Sequence, residues 1–212
     1  MSASRVVIVD DHPLFREALS QTIGMVLENA TVDQAASLDE LTAMMEAGRT
    51  IDLVLLDLNM PGVQGYSGLM YLRAQYPQVP VVVVSATEDP RTIRRCLELN
   101  ASGFIPKSRS AAEIRAALTA VLAGGVWQPP GIDLGTGDPQ PSPMARRMAS
   151  LTPQQMRVLM MLGEGLLNKQ IAYKLDVSEA TVKAHVSAIL QKLGVDSRTQ
   201  AVIAMSRMSA DV

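Results

Sequence analysis

The chain is short of several things, and each shortage narrows what it can be. It has one cysteine, Cys96, so an intrachain disulfide framework is impossible. Aromatic residues make up only 3% of its 212 residues, with Trp127 the single tryptophan. So few rings argue against a stacking platform for RNA bases. Apolar runs are short and broken, as in Val79-Pro-Val-Val-Val-Val84. None approaches the roughly 18 to 20 residues that span a bilayer. Met1-Ser-Ala-Ser-Arg5 leads straight into a strand-like run, with no signal-peptide core. No membrane partner and a cytoplasmic location are therefore expected.

What is present is ordinary soluble material, 48% hydrophobic and 19% charged, enough for one large core or two small ones. The net charge of −2 hides an asymmetry. Residues 1–127 carry 10 Lys/Arg against 14 Asp/Glu, and residues 146–212 carry 9 against 5. An acidic half and a basic half point to two domains with different partners, the basic one suited to nucleic acid.

The first half alternates strand-like and helix-like stretches. Strands are expected at Arg5–Val9, Thr31–Ala36, Ile51–Leu56, Val79–Val84 and Gly103–Lys107. The last contains Pro106, which cannot donate to a ladder, so it belongs at an edge. Helix starts are signalled by capping boxes at Ser37-Leu-Asp-Glu40 and Ser110-Ala-Ala-Glu113, and by Asp89-Pro90. Five strands alternating with helices predict a doubly wound α/β parallel sheet. Residues 128–147, rich in Pro, Gly, Ser and Gln, read as a flexible linker. Beyond it, residues 148–212 read as an all-α domain. Thr152-Pro-Gln-Gln155 opens one helix, Asn168 caps a short one, Ser178 caps Glu179–Leu193, and Ser197-Arg-Thr-Gln200 opens the last. Two helices joined by a three- to four-residue turn match a helix-turn-helix.

Chemistry concentrates at strand ends. Asp10 and Asp11 follow the first strand, Asp57 the third, Ser85 the fourth and Lys107 the fifth. In a sheet ordered 2-1-3-4-5 the acids converge on one rim, where open α/β sheets bind ligands. Three close carboxylates call for a hard cation such as Mg2+. A hydroxyl and an ammonium beside them suit phosphoryl oxygens. Any one strand-end Asp or Ser is more often a turn former; five on one rim is not the same coincidence.

With Met60-Pro61-Gly62 after Asp57, this set resembles a response-regulator receiver domain over about residues 4–124. The resemblance implies that Asp57 accepts a phosphoryl group from a histidine kinase as an acyl phosphate. It implies that Asp10, Asp11, Asp57 and the carbonyl of Asn59 hold Mg2+, that Lys107 and Ser85 bond the phosphoryl group, and that Phe104 is the switch aromatic. The domain would phosphorylate itself from a donor and slowly dephosphorylate, without turning over external substrates. Two features depart from the usual pattern: Pro106 precedes Lys107 where many receivers have proline after it, and Val63-Gln-Gly-Tyr-Ser-Gly68 carries extra glycine. An aspartate-nucleophile phosphatase of the haloacid-dehalogenase type is the enzymatic rival. Its nucleophile ends the first strand in Asp-x-Asp, unlike the adjacent Asp10-Asp11 here.

In the second half, Leu151–Leu159, Gly165–Ala172 and Val177–His185 resemble the LuxR-type output domain of nitrate-type regulators. The resemblance makes Glu179–Leu193 a recognition helix for double-stranded DNA, read as paired half-sites by a homodimer. Val182, Val186, Ile189 and Leu193 fall on a core stripe. Lys183, Ala184, His185 and Ser187 face elsewhere and would meet base edges or phosphate, with Lys169 and Thr181 positioning the backbone. The implied whole is a DNA-binding transcriptional regulator in which phosphorylation of Asp57 relieves masking between the domains. An unmasked, phosphate-independent dimer is the alternative.

Overall fold

The computed structural model describes residues 4–63, 65–132 and 142–209. The first unit is a five-stranded parallel sheet in the order β2-β1-β3-β4-β5. Its strands are β1 Arg5–Val9, β2 Thr31–Ala35, β3 Leu53–Leu56, β4 Val81–Ser85 and β5 Gly103–Pro106. The connecting helices are α1 Pro13–Val26, α2 Leu38–Glu46, α3 Ser67–Gln75, α4 Pro90–Glu98 and α5 Ala111–Leu122. The expected doubly wound sheet is what forms.

The period-2 alternation of the strands separates two cores. Val6, Ile8, Leu53, Leu55, Val82, Val84 and Ile105 pack with α1 and α5. Val7, Val9, Val54, Leu56, Val83 and Phe104 face α3 and α4. Strands covered on both sides must be apolar throughout, which explains why β3 and β4 read as unbroken Leu and Val.

Caps mostly follow the sequence signals. Ser110 and Glu113 form a reciprocal capping box, as do Thr152 and Gln155. At α2 the box is incomplete: Ser37 Oγ accepts the Glu40 N–H, but Glu40 reaches one residue further back, to the Ala36 N–H. Asn168 does not cap its helix. It is the first helical residue, and the Leu167 N–H is instead satisfied by the Gln170 side chain at 2.8 Å.

β5 lies at the sheet edge as expected, but its outer side is not bare. Trp127 donates to the Ser102 carbonyl at 3.0 Å and accepts from the Phe104 N–H at 3.2 Å. A Cβ on Gly103 would stand 3.0 Å from the Trp127 carbonyl oxygen, so this close approach favours glycine.

The second unit holds α6 Pro143–Ala149, α7 Pro153–Gly163, α8 Asn168–Leu175, α9 Glu179–Leu193 and α10 Arg198–Ser209. α6 corrects the linker reading, which ran to residue 147. Ser142 is an N-cap and Pro143 a first helical residue, a start signal hidden by the Pro-rich composition around it. Residues 133–141 of the expected linker lie outside the described residues.

Gly103→Ala should push Trp127 outward by a few tenths of an ångström and weaken both hydrogen bonds. The expected cost is about 1–2 kcal/mol, read by chemical denaturation. Emission from the only tryptophan should shift to the red.

Candidate functional site

The strand order brings the acids together. Val9 pairs with Leu56, so Asp10 and Asp57 leave adjacent strands side by side, and the Asp57 N–H bonds the Val9 carbonyl at 2.9 Å. Both residues are almost fully buried. Lys107, just past β5, reaches across the rim. Its Nζ lies 2.6 Å from Asp10 Oδ2 and 3.1 Å from Asp57 Oδ2. Asp11 sits higher, and ligand atoms of Asp10, Asp11, His12 and Asp57 all fall within 4.8 Å of one another.

Burial pushes the Asp57 carboxyl above its ordinary range, Lys107 opposes this, and repulsion from Asp10 adds to it. For Lys107, burial acts to lower the ammonium's pKa. The hydrogen bonds and charges of Asp10 and Asp57 overcome it, and the net displacement is upward. The rim thus holds more negative charge than one lysine neutralises. Asp11 Oδ1 is shielded from solvent yet receives no hydrogen bond; His12 Nδ1 stands 2.8 Å away without hydrogen-bonding geometry. A sequestered carboxylate oxygen with a lone pair to spare, beside two buried carboxylates, fits a hard divalent cation.

Other members of the expected set lie around this centre. Asn59 is exposed in the loop after Asp57, and its backbone N–H acts to lower the Asp57 carboxyl against the effect of burial. Ser85 is fully buried at the end of β4, and its Oγ accepts the Thr87 N–H at a long 3.4 Å. Phe104 is fully buried, in the apolar cluster that holds Ile93 and Cys96. Sequence reading missed His12, although it adjoins the acid pair. It also missed Arg16, which donates to the Asp10 carbonyl at 2.5 Å.

The second candidate surface is the helix-turn-helix. α8 and α9 are joined by Asp176, whose φ of 52° makes the left-handed exit, and by Val177 and Ser178. Ser178 Oγ accepts the Thr181 N–H at 3.0 Å. Val182, Ile189 and Leu193 are buried, and Val186 partly so. Lys169, Thr181, Lys183, Ala184 and Ser187 are exposed, with His185 half-buried. Two constraints were not legible beforehand: Thr181 Oγ1 is 2.8 Å from Ser178 Oγ, and Lys183 pairs with Glu179 at 3.1 Å.

The two units pack through α3 and α7. Tyr71, Val63, Met160 and Met161 are buried in one continuous apolar cluster. The loop that follows Asp57 takes part, since a Cβ on Gly62 would stand 3.3 Å from Glu164 Oε1. α6 joins both sides. Its N-cap Ser142 accepts from Arg95 of α4 at 2.9 Å, while Arg147 donates to the Leu193 carbonyl at the end of α9 at 3.0 Å. The first unit does not cover the outer face of α9: Lys183 keeps 65% of its side chain exposed, and Ile203 of α10 is also exposed.

Comparison with known proteins agrees with this geometry. Residues 6–119 match the response regulator receiver domain, and residues 149–205 match the bacterial regulatory proteins of the luxR family. The chain belongs to the LuxR-type response regulators. It is 42% identical over 206 residues to a glycerol metabolism activator of Pseudomonas putida, covering 94% of this chain and 93% of that one. It is 30% identical over 201 residues to the nitrate/nitrite response regulator NarL of Escherichia coli K12, covering 93% of each. A LuxR family DNA-binding response regulator from Silicibacter pomeroyi superposes with a TM-score of 0.55 at 31% identity, over 61% of this chain and 99% of that one. The RcsB response regulator of Salmonella typhimurium shares the fold over 98% of this chain and 100% of its own, with a TM-score of 0.57 at 21% identity. This regulator is a receiver followed by a DNA-binding output domain of transcriptional regulators. Among the described residues, no helix is long and apolar enough to cross a membrane.

The raised pKa of Asp57 has a sign that can be checked. A carboxyl whose folded value exceeds its unfolded one, about 3.9, stabilises the fold at low pH and loses that contribution as pH rises through the folded value. At neutral pH without a divalent cation, Asp57→Asn should therefore melt at a higher temperature than the wild type, and the gap should close on acidification. Millimolar Mg2+ should raise the wild-type melting temperature more than the variant's. Identical melting curves at neutral pH would show that the buried charge carries no cost.

Proposed function

We propose that Asp57 is the phosphoacceptor and that its phosphorylation by a histidine kinase controls DNA binding by the output domain. The observation that carries this reading is the buried Asp10–Asp57 pair bridged by Lys107, with Asp11 Oδ1 beside it shielded from solvent and receiving no hydrogen bond. An oxygen of Asp57 attacks phosphorus, the phosphorus–nitrogen bond of the donor phosphohistidine breaks, and an acyl phosphate forms. Asp10, Asp11, Asp57 and the Asn59 carbonyl are the groups that would hold Mg2+. The ion's contribution when bound is to neutralise charge gathering on the transferring oxygens. Lys107 exchanges the Asp57 oxygen for a phosphoryl oxygen. Ser85 offers its hydroxyl from the next strand, and Phe104 is the aromatic that follows that shift. Loss of the phosphoryl group by hydrolysis resets the site slowly.

Release of the output domain follows from where the site sits. The loop from Asp57 to Val63 runs directly into the α3–α7 packing, and Arg95 of α4 holds the cap of α6. The docked arrangement leaves the DNA face of α9 exposed, so what it restrains is the placing of two output domains relative to each other. Once freed, two copies pair through α10 and place two recognition helices on half-sites about one helical turn apart. Lys183, Ala184, His185 and Ser187 meet the major groove, and Lys169 and Thr181 contact the backbone.

The test is selection of duplexes from a random pool by the full chain, with and without Mg2+ and beryllofluoride, which stands in for the phosphoryl group on Asp57. A paired-half-site motif should be enriched with beryllofluoride only, and Asp57→Asn should abolish the difference. Equal enrichment in both states would overturn the switch. On the selected duplex, Lys183→Ala should cost about 1–3 kcal/mol if Lys183 reads a base edge. If it meets a phosphate, the effect should instead be uniform across sequences, with a salt slope smaller by about one.

A further inference from the structure

Resting on the phosphoacceptor reading, we propose that Phe15 is a positioning residue for Lys107, holding its ammonium on the rim through the ring face. Phe15 lies in the first turn of α1, just beyond the acid pair, and the Lys107 Nζ stands 4.4 Å from its ring centroid. That is well inside the distance at which the negative face of an aromatic ring attracts a cation. An ammonium has three donors. Asp10 and Asp57 take two, and the ring lies against the group on a further side. Only 18% of the Lys107 side chain is exposed.

The arrangement has a purpose that the carboxylates alone cannot serve. When Asp57 takes up a phosphoryl group, its Oδ2 changes partner and Lys107 must turn. A hydrogen bond fixes one direction, whereas a ring face has none, so the ammonium can pivot from carboxylate to phosphoryl oxygen without losing its support. Phe15 is itself anchored. It is half-buried and packs with the α1–α5 core, so its ring is a fixed wall. Lys107 has little other restraint: its backbone N–H bonds the Ser85 carbonyl at 2.7 Å, and the next residue, Ser108, is tied to Glu88 and not to the pocket.

The experiment follows phosphoryl uptake from acetyl phosphate by the full chain with Mg2+. It uses Phe15→Leu, which keeps apolar bulk without the quadrupole, and Phe15→Tyr, which keeps the ring. Loss of a partly shielded cation–π contact should slow uptake about five- to tenfold in Phe15→Leu, with Phe15→Tyr near the wild-type rate. In a Lys107→Gln background, Phe15→Leu should have no further effect. An undiminished rate in Phe15→Leu overturns the proposal. An equal loss with and without Lys107 also overturns it, since Phe15 would then act through the fold. The side-chain protons of Lys107 should be shifted upfield by the ring in NMR spectra of the wild type, and not in Phe15→Leu. Absence of that shift refutes the contact itself. A wild type that shows the shift but neither takes a phosphoryl group nor binds beryllofluoride refutes the phosphoacceptor reading on which the role depends.

Discussion

Two buried carboxylates side by side are the constraint around which the receiver is built. Neither charge is comfortable there: each has lost water, and each repels the other. The sheet nevertheless forces them together. Consecutive right-handed crossovers on both faces give the order β2-β1-β3-β4-β5, which makes β1 and β3 neighbours. Any residue that ends those strands must share a rim. Lys107 relieves part of the repulsion, and because β5 sits two strands from β3, it can do so only by reaching over the rim with its long stem. The receiver is therefore held in a state whose charge a bound cation would rearrange without moving the sheet.

That rearrangement has a short path to the output domain. No chain of intermediaries is needed, because the loop carrying Gly62 and Val63 both continues from Asp57 and forms part of the interface with α7. α6 provides a second connection of a different kind. It is a seven-residue helix with one end capped from the receiver by way of Arg95 and Ser142. At its other end, Arg147 donates to the Leu193 carbonyl at the end of α9. A change at α4 that withdraws Arg95 loosens the start of α6, and α9 is left with a less well-held C-terminus. The loop and α6 are separate physical connections between the receiver and the output domain.

How much of this was legible in the sequence depended on the range of the interaction involved. The β-branched runs, the Ser110–Glu113 and Thr152–Gln155 caps and the strand-end acids were readable because each is written in a few consecutive residues. Their convergence was readable because the topology rules leave few alternatives. α6 was not, since Ser142-Pro143 is a start signal embedded in a Pro-rich stretch whose composition says loop. The pairing of Trp127 with β5 and the contact of Phe15 with Lys107 were invisible for another reason. They join positions far apart in the chain, and no residue pattern distinguishes a tryptophan that covers a sheet edge from one at a domain border. Asn168 misled because its chemistry is that of a cap, yet Leu167 has the extended backbone and Gln170 supplies the bond.

The composition of the domain interface fits a switch better than a permanent joint. Its apolar part leans on Met160 and Met161, flexible side chains that repack at little cost. Its charged rim is the Arg157–Asp39 pair at 4.0 Å, with Asp39 largely in water, so it contributes little. A ligand can shift an equilibrium only by its differential affinity for the two states, and moving from 1:99 to 99:1 takes about 5.5 kcal/mol. One phosphoryl group and one DNA duplex can supply that together only if the docked state is not much deeper. An interface of well-fitted branched side chains and buried ion pairs would lock the domains beyond the reach of Asp57. One in which methionines pack against Val63 and Tyr71, with an exposed charge pair at its rim, keeps the gap within it.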